Sequence, residues 1–171
     1  MRIAISGSHR VGKSTLLDAL AAALTGYDCV DEPYHLLEDD GHVFADPPGV
    51  DDFVAQLSRS IEELAASGPD TLFDRCPADL LAYLVALGVD ITPVLGRAAA
   101  AMSALDLLVV VPIESPDRVQ LAYGEDAALR NDVDAALAEL LDDDVAPGVD
   151  VLVVHGDLAE RVSLVLRRLG Q

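Results

Sequence analysis

Short, unbroken apolar runs alternate along the chain with longer segments whose apolar positions recur every three or four residues. Met1 to Ser6, Asp28 to Asp31, Thr71 to Asp74, Asp106 to Val111 and Asp150 to His155 read as strands. Their continuous apolar character is that of strands buried on both faces. Lys13 to Leu24 reads as a helix, with Leu16, Leu17, Leu20 and Leu24 on one stripe and Gly26 ending it. Pro33 breaks the chain, 34 to 40 suit a short helix or turn, and the Gly- and Pro-rich stretch 41 to 50 is a loop. Asp51 to Ala66 is helical, with Phe53, Leu57, Ile61 and Leu64 on one side and Gly68-Pro69 as its stop. Pro77 opens a helix that runs to about Leu87, and Thr92 or Pro93 opens another through Met102. Asp126 to Leu141 is a helix followed by an acidic run from Asp142 to Asp144, and Asp157 caps a last helix ending near Leu169.

Strands of this kind alternating with helices predict an α/β fold: a three-layer sandwich around a five-stranded parallel sheet. The 171 residues suit one domain over 1–171, with no internal repeat or low-complexity linker. Half the residues are hydrophobic (51%), but only three Phe and four Tyr are aromatic, so the core is built mainly of Ala, Leu and Val. No apolar run reaches the ~18 residues of a membrane span, and Met1 to Ile5 reads as a buried strand rather than a leader. Two cysteines, Cys29 and Cys76, make neither a disulfide framework nor a metal cluster, so a reducing, cytoplasmic setting is expected.

A formal net charge of −19 argues against nucleic acid or an anionic membrane as partner, since both demand basic patches. It suits a solubilising surface or an acidic docking face. The chain has a single lysine, Lys13; every other basic residue except histidine is arginine.

That lysine stands in Gly7-Ser8-His9-Arg10-Val11-Gly12-Lys13-Ser14, which meets the phosphate-loop pattern G-x-x-x-x-G-K-[ST]. Glycines let the backbone wrap an anion, successive N–H groups point inward, and the following helix adds its positive end. The pattern follows an apolar strand and precedes a helix, the context it needs. It assigns the β- and γ-phosphates to Lys13, Mg²⁺ to the Ser14 hydroxyl and help at the α-phosphate to Thr15. Within the loop, Arg10 is a candidate for stabilising transferring phosphate, while His9 and Arg10 also suit plain solvent-facing positions.

In doubly wound sheets ligands lie at the carboxyl ends of the strands. The second strand ends at Asp31-Glu32-Pro33 and the third at Asp74-Arg75-Cys76-Pro77. Asp74 is a candidate for the magnesium shell, Glu32 for accepting a hydroxyl proton, and Arg75 for contacting the accepting or transferring group. Each has a plainer alternative: a solvated turn acid at 31 or 32, a helix cap at Asp74, a structural ion pair at Arg75.

Gly7 to Thr15, Glu32-Pro33 and Asp74-Arg75 ahead of Pro77-Ala78-Asp79-Leu80-Leu81-Ala82-Tyr83 together resemble the P-loop nucleoside and nucleotide kinases. The likeness is nearest to a small AAA-like ATPase/kinase group related to the ribosylnicotinamide kinase domain, with thymidylate and deoxynucleoside kinases further out. It covers nearly the whole chain in element order. It implies the strand order 2-3-1-4-5, Glu32 as general base, and Asp74 and Arg75 beside Mg²⁺ and the acceptor. The helix facing the acceptor would carry Gln56, as a reader of a nucleobase edge, and Arg59. A lid is implied over Glu114 to Arg130, where only Arg118 and Arg130 stand in place of a dense arginine cluster, with Asp117, Glu125 and Asp126 among them. His155-Gly156-Asp157 would lie near the adenine ring.

The expected activity is Mg²⁺-dependent transfer of the γ-phosphoryl group of ATP, with GTP possible, to a nucleoside- or nucleotide-like acceptor. The alternatives are a regulatory ATPase or NTP switch without such an acceptor, and a noncatalytic binding module. A signalling GTPase is excluded, because its Asn-Lys-x-Asp base reader needs a second lysine. The small residues Ala98 to Ala101 would allow close packing within the core or against another copy, leaving a homodimer open.

Overall fold

A computed structural model of the chain describes residues 1–117, 126–142 and 145–171. Among these, five strands and seven helices follow one another as β1 (Arg2–Ser6), α1 (Lys13–Ala23), β2 (Asp28–Val30), α2 (Pro33–Asp39), α3 (Val50–Ala66), β3 (Thr71–Asp74), α4 (Pro77–Ala86), α5 (Thr92–Met102), β4 (Leu107–Val110), α6 (Ala127–Asp142), β5 (Asp150–Val153) and α7 (Leu158–Arg168). The sheet is parallel, in the order β2-β3-β1-β4-β5. Both the sheet and its order match the sequence expectation. The predicted strands over 1–6, 28–31, 106–111 and 150–155 are each shorter by one or two residues.

Alternation along each strand divides the core into two layers. Ile3, Ile5, Leu72, Leu107 and Val109 pack with Leu16, Leu20 and Val165 of α1 and α7. Ala4, Phe73, Leu108 and Val110 face Phe53, Leu57, Leu80, Leu84 and Leu137 of α3, α4 and α6. α5 packs on α3 and α4 and buries Ala98 and Met102 completely, so Ala98 is spent inside the fold.

The centre of the sheet is the driest part. β1, hydrogen-bonded on both sides, is held in register by Ile3 opposite Leu72 and Leu107. The residues just past the ends of its neighbours grip its last two carbonyls: the Arg75 N–H donates to the Ile5 carbonyl at 3.0 Å and the Val111 N–H to the Ser6 carbonyl at 2.8 Å. The strand is thus fixed up to the residue at which the glycine loop begins. No described helix is long and apolar enough to cross a membrane.

Candidate active site

The loop between β1 and α1 makes a close turn. Gly7 has φ 147° and Gly12 φ 92°. A Cβ at Gly7 would lie 2.3 Å from the Val111 carbonyl oxygen, a distance no side chain tolerates, so only glycine passes between β3 and β4 here. Five successive carbonyls of the loop accept hydrogen bonds from cationic side chains. Gly7 accepts from Arg75 Nη1 at 3.2 Å, Ser8 from Lys13 Nζ at 2.7 Å, His9 from Arg130 Nε at 3.0 Å, Arg10 from Arg130 Nη2 at 3.4 Å, and Val11 from Arg161 Nη1 at 2.8 Å. Engaging the negative ends of these peptides with cations leaves their positive ends to define the loop's character, which is that of an anion receptor.

Asp79, fully buried in the first turn of α4, anchors the loop from below. Its carboxylate accepts from the Ser6 hydroxyl at 2.8 Å, the Gly7 N–H at 2.8 Å and the Cys76 N–H at 2.9 Å, and Arg75 Nη1 lies 3.6 Å away. A buried carboxylate is tolerable only with such a set of donors. The neighbouring Cys76 thiol is pushed up out of the range in which it ionises, first by burial and then by Asp79, so it is an inert core group.

Lys13 is almost wholly buried, and burial, reinforced by Arg75 and opposed by Asp79, Glu32 and Asp74, draws its pKa down to about 8. Beside it the Ser14 hydroxyl donates to Asp74 Oδ2 at 2.7 Å, while Asp74 Oδ1 is buried without a partner. Burial raises the Asp74 pKa, against the opposing pull of Ser14 and Lys13. A buried carboxylate oxygen that lacks a donor, next to a hydroxyl, fits a hard divalent cation. No group of three His, Cys, Asp or Glu side chains able to hold a metal exists among the described residues. Mg²⁺ held through Ser14 and Asp74 would therefore take its other ligands from phosphate and water, its usual habit.

A cleft of about 300 Å³ opens on the α2–α3 side of the loop. Arg75 Nε donates to Glu32 Oε1 at 2.6 Å at its inner wall, and the guanidinium sits 5.4 Å from the centre of the Tyr83 ring. Arg75 holds φ 75°, a left-handed conformation costly for a residue with a Cβ. Burial alone would raise the Glu32 pKa, but Arg75 and Lys13 more than offset it, so the carboxyl stays ionised below its ordinary range. Tyr83 stacks on Phe53 with centroids 4.5 Å apart, and its hydroxyl lies 3.1 Å from His9 Nδ1 of the loop. Tyr34, which stacks on Phe44 at 4.1 Å, and the buried Gln56 complete the aromatic wall. The loop carrying Phe44 is tied down by Asp52, which accepts from the Gly49 N–H at 2.8 Å and lies 3.1 Å from His42 Nε2.

A second cleft of similar size, about 300 Å³, lies on the other side of the loop between Gly12, Thr15, Gly156 and Asp157. Glu114 joins its edges, accepting from the Gly156 N–H at 2.7 Å and from Arg161 Nη2 at 3.1 Å.

A family model described as an AAA domain matches residues 2–161. The chain belongs to the AAA domain family. No curated protein matches the sequence. Among solved structures, deoxyadenosine kinase from M. mycoides with bound dATP is similar over 100% of both chains, with TM-score 0.69 and 16% identity. Thymidylate kinase from Ehrlichia chaffeensis is similar over 100% of this chain and 98% of its own, with TM-score 0.70 and 13% identity. NadR in complex with NAD and AMP-PNP is similar over 99% of this chain and 49% of its own, with TM-score 0.70 and 15% identity. The fold is that of the P-loop nucleotide kinases.

In this AAA domain the expected site residues divide into three groups. Gly7 to Thr15, Glu32, Asp74, Arg75 and Gln56 converge around the loop and the aromatic cleft, and Gly156 and Asp157 flank the second cleft. Arg75 combines its two readings, since it lines the cleft and also forms the ion pair with Glu32. Asp74 does not cap α4, whose N-cap is Cys76. Arg59 departs from expectation: it lies outside the cleft lining, paired with Glu63 at 2.6 Å and with Asp40. One helical turn separates it from Glu63, and that carboxylate holds it on the surface. Arg130 is also differently placed, its buried guanidinium on the His9 and Arg10 carbonyls and on Asp117. His155 lines a separate open groove along α7. Arg118 and Glu125 lie outside the described residues. The sequence pattern assigned no role to Asp79 or Tyr83, both in the run from Pro77 to Tyr83, nor to Arg161, Glu114 and Tyr34. Two of these carried a signal: an acid at the third position of a Pro-initiated helix, and an arginine one turn after the Asp157 cap.

Proposed function

We propose that this chain is a Mg²⁺-dependent kinase that transfers the γ-phosphoryl group of ATP to a nucleoside- or nucleotide-like acceptor. One observation supports this above the others. Two clefts flank the phosphate loop, and the one with Glu32 at its wall is aromatic and carries a buried amide, Gln56. A protein that only hydrolysed or sensed a nucleotide has no need of that aromatic cleft. The solved structures of similar fold support it too, since they include complexes with dATP, AMP-PNP and NR.

The nucleotide base and ribose would take the cleft between Thr15 and Gly156, and the triphosphate the loop. Lys13 would neutralise charge at the outer phosphates, and Mg²⁺ held at Ser14 and Asp74 would supply further charge neutralisation there. Glu32, ionised at neutral pH, would orient an acceptor hydroxyl and receive its proton as the new O–P bond forms and ADP leaves. Arg75 keeps Glu32 in place and ionised. Arg130 would act on the reaction through the loop carbonyls it holds. The chain would work as one domain over 1–171, with 114–130 as a lid-like segment.

The test is ADP release from ATP and Mg²⁺ with a panel of nucleosides and nucleotides, compared with the same panel and Glu32→Gln. Acceptor-dependent release that falls about 100-fold or more in the variant is expected. ADP release indifferent to every acceptor would instead support the regulatory ATPase.

A further inference from the structure

The charge lining the aromatic cleft has a consequence for what can enter it. Among the described residues that line it, the formal charges are Glu32, Asp126 and Arg75. Arg75 is only 6% exposed and already committed: Nε to Glu32 at 2.6 Å, Nη1 to the Gly7 carbonyl at 3.2 Å, with Asp79 Oδ1 a further 3.6 Å away. Its charge is balanced by carboxylates before any ligand arrives. Glu32 is more open than its partner, with 22% of its side chain exposed, and is kept ionised by Arg75 and Lys13. Asp126 adds a second carboxylate at the N-terminus of α6, where its Oδ1 accepts from the Leu129 N–H at 3.0 Å. His9, the one other ionisable base on the wall, is turned on the Tyr83 hydroxyl. The rest of the wall is ring and proline: Tyr34, Phe53, Tyr83, Pro47 and Pro48.

A phosphate-bearing acceptor needs donors that are free to meet it, of the bidentate arginine or ammonium kind. Among its described residues this wall offers an arginine already shared between carboxylates and the loop, and beyond the Glu32–Arg75 pair a second acid, the exposed Asp126, so the charge a dianion would meet there is net negative. Aromatic faces and carboxylates together favour a flat ligand that is neutral or positively charged. Resting on the kinase reading above, we infer that the acceptor is an aromatic, hydroxyl-bearing compound without a phosphate group, a nucleoside-like molecule that is uncharged or cationic. A nucleoside monophosphate would be a poor acceptor.

The experiment pairs adenosine, cytidine, thymidine and a pyridinium riboside each with its own 5′-monophosphate, and measures kcat/KM for ADP release by the full chain with ATP and Mg²⁺. Binding of a nonhydrolysable ATP analogue is measured alongside. At least one unphosphorylated compound is expected to exceed its monophosphate by about tenfold or more. Asp126→Asn, which keeps the helix cap while removing one negative charge, should narrow that ratio severalfold. A monophosphate that equals or beats its parent for every active pair, or a ratio that ignores Asp126→Asn, overturns the inference and leaves the kinase reading standing. Intact analogue binding with no acceptor-dependent turnover from any pair removes both.

Discussion

The two sides of the phosphate loop are made of different materials. On the proposed donor side, backbone and cations do the work: five consecutive carbonyls are held by Arg75, Lys13, Arg130 and Arg161, with Asp79 beneath. Each of these groups is buried or nearly so and has a partner. On the proposed acceptor side, stacked rings form the wall and the charged or amide groups are few: Glu32, Arg75, Gln56, the ring of His9 and Asp126. Phosphate is the same in every nucleotide, so the surface that meets it can be fixed by the fold. The acceptor varies between enzymes, and its wall is assembled from side chains on α2, α3 and the 41–49 loop that can change without disturbing the sheet.

This contrast breaks if changes on one side spread to the other. The largest effect is expected from Lys13→Ala, which should weaken ATP binding about 100-fold or more by titration calorimetry with Mg²⁺, while the melting temperature changes little. Asp79→Ala strands the Ser6, Gly7 and Cys76 donors and leaves Arg75 short of a counter-charge. It should cost about 3 kcal/mol, read as a fall in melting temperature of roughly 6–12 °C. Gln56→Leu keeps the packing volume but removes the amide from the aromatic wall, so the acceptor KM should rise about tenfold. ATP affinity, measured on the same preparation, should not move; a matching loss of ATP affinity would show that the two sides are not separable.

The pH response sharpens the donor side further. The Lys13 pKa lies near 8 in the free protein and rises when its ammonium meets phosphate, so ATP binding draws in a proton above that pH. Affinity is full below about pH 8 and should fall roughly fivefold over the next unit. Calorimetry in buffers of different ionisation enthalpy reads the proton directly, and an affinity flat to pH 9.5 would place the amine elsewhere. The smallest effect belongs to Asp157→Ala at the α7 cap, where loss of the 2.9 Å bond from the Glu160 N–H should cost about 1 kcal/mol, seen as a shift of a few degrees.

Much of this was legible in the sequence, for local reasons. The buried strands β1, β3 and β4 announce themselves as continuous apolar runs, and helix ends by Gly26, Pro77 and Asp157. β2 and β5, also expected to be buried on both faces, are instead edge strands with exposed residues. The loop is readable because its function needs a fixed spacing within eight residues. Glu32 and Asp74 followed from the rule that strand ends carry ligands. The missed residues depend on distant partners: Asp79 meets Ser6 and Gly7 across the sheet, and Arg161 meets Val11 from the far end of the chain. No local pattern encodes such pairs. Arg59 shows the converse, since its helix and even its neighbourhood were right, yet the 60° or so between it and Gln56 around the helix axis turned it from the cleft to the surface.

One consequence lies in the lone Lys13 itself. Apart from the α-amine at Met1, the chain offers an amine-selective acylating reagent a single target, a shielded ε-amine whose pKa near 8 leaves more of it uncharged and reactive at neutral pH than an ordinary lysine has. Mass spectrometry during acylation would therefore follow a single slow addition at that position, and its suppression by added nucleotide would report occupancy of the loop without any engineered probe.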